Sequence, residues 1–283
     1  MITTSILADS ISPHGHRITT ALWTYPRYLH AEVMTHRCFA RNAASSRAIP
    51  ISKFVEAVST NPATFEQYGA ANKGMSAQTL MAEEQIAGFL EDWTNLAHQA
   101  CRFAETWDGY AAKQLVNRAL EPWMHMTTIV TATEWSNFFA LRAHPAAQPE
   151  FQVLAYRFLD QYLKSTPQPV DFDQWHVPLV TEEERQCYNW GQLQVISTAR
   201  CARVSYTRHG TDTDYEKDLA LHDSLKASAH MSPFEHQATP WEDLPNPSPF
   251  RGWLQYRKTI QGENREGVDL QKIMADKPEW VTL

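Results

Sequence analysis

The segment Thr35–Arg47 concentrates side chains that can hold an anion. It contains one histidine, three arginines, one asparagine and two serines, and no carboxylate. Arginine donates hydrogen bonds in a fixed planar fork that suits phosphate, and Ser and Asn add short-range donors beside it. The chain as a whole has a formal net charge of -7. The segment is therefore a local positive island, typical either of a site for an anionic small molecule or of a solvated basic surface.

The order of residues in this segment resembles the signature of flavin-dependent thymidylate synthases. In that family an Arg-His-Arg triplet binds the flavin, and a following Ser and Arg bind the phosphate of the nucleotide. The resemblance implies that His36 and Arg37 contact the flavin, and that Ser45, Ser46 and Arg47 hold the phosphate.

The match departs from the family pattern at three positions. The first arginine of the triplet is replaced by Thr35, the acidic residue after Asn42 by Ala43, and the aromatic residue after the final arginine by Ala48. These departures are compatible with a change of product on the same scaffold.

A second candidate segment surrounds Arg142. On a helix, Asn137 and Arg142 lie five residues apart, near enough to serve one ligand from the helix end. The resemblance implies that Asn137 contacts the cofactor and that Arg142 contacts and polarises the uracil ring. It also implies nucleotide binding by Arg118, although the Leu-Pro pair that follows this arginine in the family begins here with Glu121. A capped helix end with a solvated arginine is the structural alternative.

Two further segments resemble family motifs but stand in an unusual place. Ala202–Tyr206 and Ser232–His236 follow the other motifs here, whereas in the family they precede them, so the chain resembles a rearranged, phage-type member. The resemblance implies flavin contacts by Ser205 and His236. Because Ser12–His16 is similar to Ser232–His236, the order is interpreted either as a permutation or as an internal duplication. A structural histidine is the alternative for both copies.

The chain has no Gly-x-Gly-x-x-Gly run among its ten glycines, so a Rossmann cradle for a dinucleotide is not predicted. The resemblance nevertheless implies FAD as cofactor, NADPH as reductant, methylenetetrahydrofolate as carbon donor, and a homotetramer with shared sites. The pyrophosphate of FAD would then depend on side chains, for which Arg257 and Lys258 join His36 and Arg37 as candidates. We expect the guanidinium groups of Arg37, Arg47 and Arg142 to converge on one site.

Hydrophobic periodicity predicts an α/β (α+β) fold with a mixed sheet and long helices. Strands are expected at 17–25 and 125–133, and helices after Pro26, at 134–142, 148–164 and 215–229. The longest helix is expected from 76 to 107, with a large apolar stripe in the core or at a subunit interface. Proline-rich residues 165–180 are the candidate linker between a motif-bearing segment, 1–166, and a C-terminal segment, 181–283, that packs into the same domain.

The composition excludes several other classes of protein. A sequence pI near 5.9 argues against a duplex nucleic-acid partner, which would require a basic surface. No apolar run approaches the length of a membrane span, and four unpaired cysteines favour a reducing, cytoplasmic location. Histidines 14, 16, 30 and 36 could be a metal site, but no carboxylate or cysteine is placed to complete one.

These observations predict an FAD-dependent enzyme that methylates dUMP to dTMP. Arg142 would stabilise negative charge on the pyrimidine ring, and no cysteine nucleophile is required. Cys38, inside the basic segment, is the candidate for a nucleophilic alternative. The two remaining hypotheses are 5-hydroxymethylation of dUMP or dCMP, and a non-catalytic protein that binds nucleotide or flavin.

Overall fold

A five-stranded mixed sheet forms the centre of the protein. The computed structural model describes residues 1–71, 79–206, 214–242, 248–263, 269–278 and 281. The strands of the main sheet are β1 (Thr3–Ile11), β2 (Arg17–Pro26), β3 (Ala40–Ala43), β4 (His125–Ala132) and β5 (Gln168–Pro169), and β6 (Ala238–Pro240) pairs with β7 (Trp253–Gln255) in a second, two-stranded sheet. The spatial order of the main sheet is β3-β4-β2-β1-β5.

Ten α-helices accompany the strands in the described part of the chain. They are α1 (His30–Val33), α2 (Ile51–Thr60), α3 (Glu83–Trp107), α4 (Lys113–Val116), α5 (Ser136–Arg142), α6 (Pro149–Lys164), α7 (Glu182–Cys187), α8 (Trp190–Arg203), α9 (Tyr215–Ala227) and α10 (Leu270–Ala275). Short 3₁₀ helices span Arg27–Leu29, Asn117–Trp123, Val204–Tyr206, Ser232–Glu235 and Tyr256–Thr259. No helix in these ranges is long and apolar enough to cross a bilayer.

The main sheet is mixed because only its β5 edge is parallel. β1, β2, β4 and β3 pair antiparallel in turn, whereas β5 runs parallel to β1 through Ser10 and Gln168. The β-branched and aromatic residues that predict strands at 17–25 and 125–133 form β2 and β4. The prediction of a mixed α/β fold is therefore confirmed.

Alternation along the strands gives the sheet two differently covered faces. On the first face, Trp23 stacks on Phe138 of α5 with ring centroids 5.2 Å apart and meets Phe158 of α6 at 5.3 Å. On the second face, Ile129 packs against Cys201 of α8. Both faces are thus buried, and the motif-bearing strand β3 lies at one edge between the two layers.

Helix α8 is enclosed by the protein along most of its length. It begins with a capping box in which Gln192 N donates to Asn189 Oδ1 at 3.0 Å and Asn189 N donates to Gln192 Oε1 at 3.1 Å. Every residue from 193 to 202 is buried. The sequence predicts a helix start at Thr181, which α7 confirms, but the separate start of α8 was not predicted.

A buried ion cluster fixes α8 between its neighbours. Arg200, 2 % exposed, forms an ion pair with Glu184 of α7 at 2.6 Å and lies 3.8 Å from Asp218 of α9. Arg203 also pairs with Asp218, which is fully buried. Burial of ions is compensated here because each charge faces at least one opposite charge.

The long helix α3 differs from the expected helix 76–107 in its start and in its exposure: it begins at Glu83, and residues 76–78 of the expected range lie outside the described part of the chain. Its buried positions are the small residues Ala97, Cys101 and Ala104. By contrast, Phe89, Leu96, Phe103 and Trp107 are 39–48 % exposed. The prediction that this apolar stripe belongs to the core of one chain is wrong for these side chains, and the subunit-interface interpretation remains a prediction.

Other local expectations are corrected by the structure. The helix after Pro26, which the sequence predicts to carry Leu29, Val33 and Met34 inward, is two short turns that bury Leu29 and Val33 but leave Met34 46 % exposed. Ser12–His16 is the tight turn between β1 and β2, whereas Ser232–Glu235 is a 3₁₀ helix. Because the two similar segments differ in conformation, the described elements give no support to an internal duplication.

A hydrogen-bonded chain of polar side chains runs through the second face of the sheet. Ser10 Oγ meets His176 Nδ1 at 2.8 Å, His176 Nε2 meets Thr20 Oγ1 at 2.8 Å, and Thr20 meets Thr131 at 2.7 Å. Thr131 continues the chain to His236 Nδ1 at 2.9 Å. Residue 176 lies in the proposed linker segment 165–180, which contributes both this histidine and β5 to the fold.

Burial of these two histidines predicts an acid-sensitive fold. Burial lowers the pKa of both His176 and His236 to about 3, whereas a histidine of an unfolded chain titrates near pH 6.5. The unfolded chain therefore binds more protons between these values, and stability falls as the pH falls from about 6.5 towards 3. We expect each histidine to add about 1.4 kcal/mol per pH unit to this slope.

Urea unfolding between pH 7 and pH 5 measures the slope directly. His236→Gln is expected to make it shallower, and the same change at the exposed His144 is the control that should leave it unchanged. Equal slopes in the wild type and His236→Gln would contradict the burial argument.

Candidate active site

A cleft of about 630 Å³ lies beside β3, on the face of the sheet that α8 covers. Its volume is within the range of about 300–1,000 Å³ that small-molecule sites occupy. The residues that line it come from five separated stretches of the chain: Asn42, Ser45, Arg47, Ala48, Lys113, Gln114, Ala202, Ser205, Tyr206, Leu221, Leu225, His230, Ser232 and Pro233. The fold thus brings residues of three sequence motifs, Thr35–Arg47, Ala202–Tyr206 and Ser232–His236, to one place.

One wall of the cleft is the turn that follows β3. Arg47 N donates to Ser45 Oγ at 3.3 Å, and Arg47 Nε donates to Gln114 Oε1 at 3.2 Å. Lys113 Nζ donates to the carbonyl of Ala48 at 3.0 Å. The short helix α4 therefore fixes the turn and adds an exposed ammonium group next to the exposed guanidinium.

The opposite wall is supplied by the C-terminal motifs. Ser45 N donates to the carbonyl of Ser205 at 3.0 Å, which joins the two walls directly. Asn42 Nδ2 donates to the carbonyl of Cys201 at 2.7 Å, and Ser232 Oγ lies 3.4 Å from Asn42 Oδ1. The side chain of Asn42 is thus a structural link between β3, α8 and the Ser232–Glu235 turn.

The charge and polarity of the cleft suit an anion attached to a flat group. Arg47 and Lys113 line it, and none of the described residues that line it is acidic. Leu221 and Leu225 of α9 and Tyr206, which follows α8, add apolar surface. Charged donors at one wall and an apolar surface at the other can hold a phosphate and a ring together.

Arg142 belongs to a second cluster, formed with α1 and the loop after it. Arg142 Nε donates to His36 Nε2 at 3.1 Å, and its terminal nitrogen donates to Glu32 Oε2 at 2.7 Å. The guanidinium also lies over the ring of Phe151, 4.5 Å from its centroid. Burial, with the nearby charges of Arg142 and Arg41, lowers the pKa of His36 to about 4, so His36 is neutral and accepts from Arg142.

The two clusters lie on opposite sides of β3. Arg41 donates to the carbonyl of His36 at 3.1 Å on the face covered by α5 and α6, whereas the next residue, Asn42, points towards α8. Arg37 is exposed. Among the described residues, Arg47 and Arg142 share no hydrogen-bond or ion-pair partner, so one chain does not show the expected convergence of the three arginines.

Ser46 and Arg118, both assigned to the nucleotide by resemblance, meet Glu121 instead. Ser46 Oγ donates to Glu121 Oε1 at 3.1 Å, and Arg118 donates to the same oxygen at 2.9 Å. Neither residue lines the cleft. Glu121, which departs from the family pattern, therefore directs the side chains of Ser46 and Arg118 towards its own carboxylate.

The remaining assigned residues occupy varied environments. His236 is fully buried, with Nδ1 bonded to Thr131 and Nε2 without a partner within the described ranges. Arg257 forms ion pairs with both Glu235 and Glu263. Asn137 is exposed on α5. Their assignment to the cofactor stays a prediction.

Several residues of the cleft were missed by sequence reasoning, among them Lys113 and Gln114. These two stand in a short polar stretch without a motif, and only the packing of α4 against the turn after β3 brings them to Arg47. The described residues contain no group of three or more His, Cys, Asp or Glu side chains placed to hold a metal ion.

Comparison with known proteins identifies the family. The family model described as thymidylate synthase complementing protein matches residues 9–168, more than half of the chain, and this range includes the first motif and the helix of Arg142. The motifs at 202–206 and 232–236 lie outside the matched range.

Two structures of the UMP/dUMP methylase PolB from Streptomyces cacaoi, with bound 5-Br UMP and 5-Br dUMP, are 15% and 13% identical to the chain. Each covers 58% of this chain, and the alignments span 89% and 90% of the methylase, with TM-scores of 0.46 and 0.47. No curated protein matches the sequence. On the family match, the chain belongs to the thymidylate synthase complementing proteins, the flavin-dependent thymidylate synthase family.

Proposed function

We propose that the protein is an FAD-dependent enzyme that methylates dUMP to dTMP, with methylenetetrahydrofolate as carbon donor and NADPH as reductant. The observation that carries this proposal is the cleft in which Ser45 and Arg47 of the family signature face Ser205 and Ser232. An electropositive wall, an apolar wall and the volume of the cleft together fit a pyrimidine nucleoside monophosphate.

Different residues of the cleft would bind the phosphate and the ring. Arg47 presents a planar fork to the phosphate, and the Ser45 hydroxyl adds a donor at the same wall. Tyr206 and Leu225 give the pyrimidine ring an apolar surface, which excludes water from one of its sides. The ring itself has few charged groups, so binding energy from the phosphate orients it.

In one chain, only some of the residues that would hold FAD are free to contact it. The guanidinium of Arg37 is exposed and has no hydrogen bond or ion pair within the described ranges, so it can meet a pyrophosphate. Cys38 Sγ lies 3.9 Å from the carbonyl of Glu134, which places this loop against the start of the helix that carries Asn137. His36, by contrast, is enclosed by Phe39 and bonded to Arg142.

We propose that a second copy of the chain completes the flavin site, in a homotetramer. The exposed apolar stripe on α3, Phe89, Leu96, Phe103 and Trp107, supports an interface of this kind. In the assembly, Arg142 would face the pyrimidine of a neighbouring chain and stabilise negative charge on its ring. The flavin, when bound, supplies the hydride that the transferred carbon unit needs.

A product assay tests the proposal. Purified protein supplied with dUMP, methylenetetrahydrofolate, FAD and NADPH is expected to yield a nucleotide heavier by one methyl group in place of hydrogen, detected by mass spectrometry. Omission of FAD is the control that should remove the product. A hydroxymethyl product, or bound ligands without turnover, would overturn the methylation proposal in favour of one of the two alternatives above.

A further inference from the structure

Glu121 accepts hydrogen bonds from three donors at a single carboxylate oxygen. Oε1 lies 2.9 Å from Arg118, 3.1 Å from the hydroxyl of Ser46 and 3.4 Å from Arg27. The side chain is only 21 % exposed. Two guanidinium groups and a hydroxyl around one anionic oxygen resemble the donor set of a phosphate site, already filled by the protein's own carboxylate.

This arrangement also fixes the wall of the cleft. Ser46 is 8 % exposed and stands between Ser45 and Arg47, which both line the cleft. Its hydroxyl donates to Glu121, and its carbonyl accepts from Asn117 Nδ2 at 2.7 Å. The 3₁₀ helix Asn117–Trp123 therefore holds Ser46 at two points and sets the direction of its neighbours.

The resident carboxylate occupies the hydroxyl of Ser46 and one of the N–H groups of Arg118. A phosphate dianion brought to the same donors would be repelled by Glu121, and at short range this repulsion is large in a partly buried position. Lys113 is different, because the one hydrogen bond its ammonium makes within the described ranges is to the backbone carbonyl of Ala48. Two further protons of this ammonium remain for a ligand in the cleft.

We propose that this chain grips the nucleotide phosphate with Arg47 and Lys113, and that Glu121 is a positioning residue that withdraws Arg118 and Ser46 from the ligand. The inference rests on the proposed function, since it names the phosphate-binding residues of the same site. It replaces the assignment of Arg118 that the sequence resemblance implies.

Lys113 and Arg118 form a matched pair for the test, because both are exposed cations only five residues apart. With dUMP and deoxyuridine as probes in calorimetric titrations, Lys113→Ala is expected to weaken dUMP binding by about ten- to a hundredfold, the value of a charge-assisted hydrogen bond. Binding of deoxyuridine should stay unchanged, which a general loss of structure would not allow. Arg118→Ala is expected to change dUMP binding by less than about twofold. A large loss in Arg118→Ala with none in Lys113→Ala would overturn the inference.

A double-mutant comparison of positions 118 and 121 tests the role of Glu121. In a Glu121→Leu background, Arg118 loses its carboxylate partner, so adding Arg118→Ala is expected to weaken dUMP binding there although it does not in the wild type. Glu121→Gln keeps an oxygen for Ser46, so the wall of the cleft is retained and dUMP binding should not weaken. If Arg118→Ala has no effect in either background, Glu121 does not withdraw it. Failure of the wild type to bind dUMP at all would instead count against the proposed function.

Discussion

Replacing Arg47 with alanine is expected to lower the affinity for dUMP by about ten- to a hundredfold, since one charge-assisted interaction contributes roughly 1.5–3 kcal/mol. The residue lines the cleft, and its backbone and Nε are held by Ser45 and Gln114. The guanidinium is thus presented in a fixed direction, and little conformational entropy is lost when a phosphate binds.

Two variants make this result specific to Arg47. Arg47→Lys keeps the charge but loses the planar fork, so an intermediate affinity is expected. Arg251→Ala removes the same charge at an exposed ion pair with Glu134, at 3.8 Å, which does not line the cleft. Isothermal titration with dUMP should show wild-type affinity for this control. Equal losses in Arg47→Ala and Arg251→Ala would mean that net charge, and not a contact, determines binding.

Replacing Asp218 with asparagine is expected to destabilise the protein by about 3–5 kcal/mol, the usual effect of removing one partner from a buried ion pair. Asp218 is fully buried, and it faces Arg203 and Arg200 across the contact between α8 and α9. Asparagine keeps the shape of the side chain but leaves the buried Arg200 and the half-buried Arg203 with one anionic partner fewer. Urea unfolding monitored by circular dichroism measures the loss.

The same helix offers a matched control for this experiment. Asp214 is exposed, and its carboxylate caps α9 by accepting from Lys217 N at 2.9 Å. Asparagine is also a good N-cap, so Asp214→Asn should change stability little. Comparable losses at positions 214 and 218 would contradict the special role of the buried cluster.

Arg203 belongs to the Ala202–Tyr206 motif and has a structural role at the end of α8. Ser205 and Tyr206, which line the cleft, follow this helix directly.

The pattern of residue types along the sequence predicts the central strands of the sheet, where burial follows the alternation of side chains, but not its edge strand. β2 and β4 lie in the middle of the sheet, so their β-branched and aromatic residues are enough to identify them. β3 has only four residues, including Arg41 and Asn42, and is a strand because β4 pairs with it. No periodicity in its own sequence could show this.

The candidate site could be predicted only as far as its motifs reach. Ser45 and Arg47 follow from the family signature, and the structure places both at the cleft. Lys113 depends on tertiary packing of α4, which the sequence alone does not specify. Glu121 is visible in the sequence as a departure, but its effect on Ser46 required the distance between the two side chains.

The far wall of the cleft is made late in synthesis. Ser232 is 190 positions after Asn42, the residue it meets. At translation rates of about 5–20 residues per second, roughly 10–40 seconds separate the appearance of these two residues at the ribosome. For most of that interval α8, which covers one face of β3, has not yet been made. A nucleotide bound in this cleft, as proposed above, can therefore stabilise the fold only after Ser232 has been made, and it cannot act as an early template.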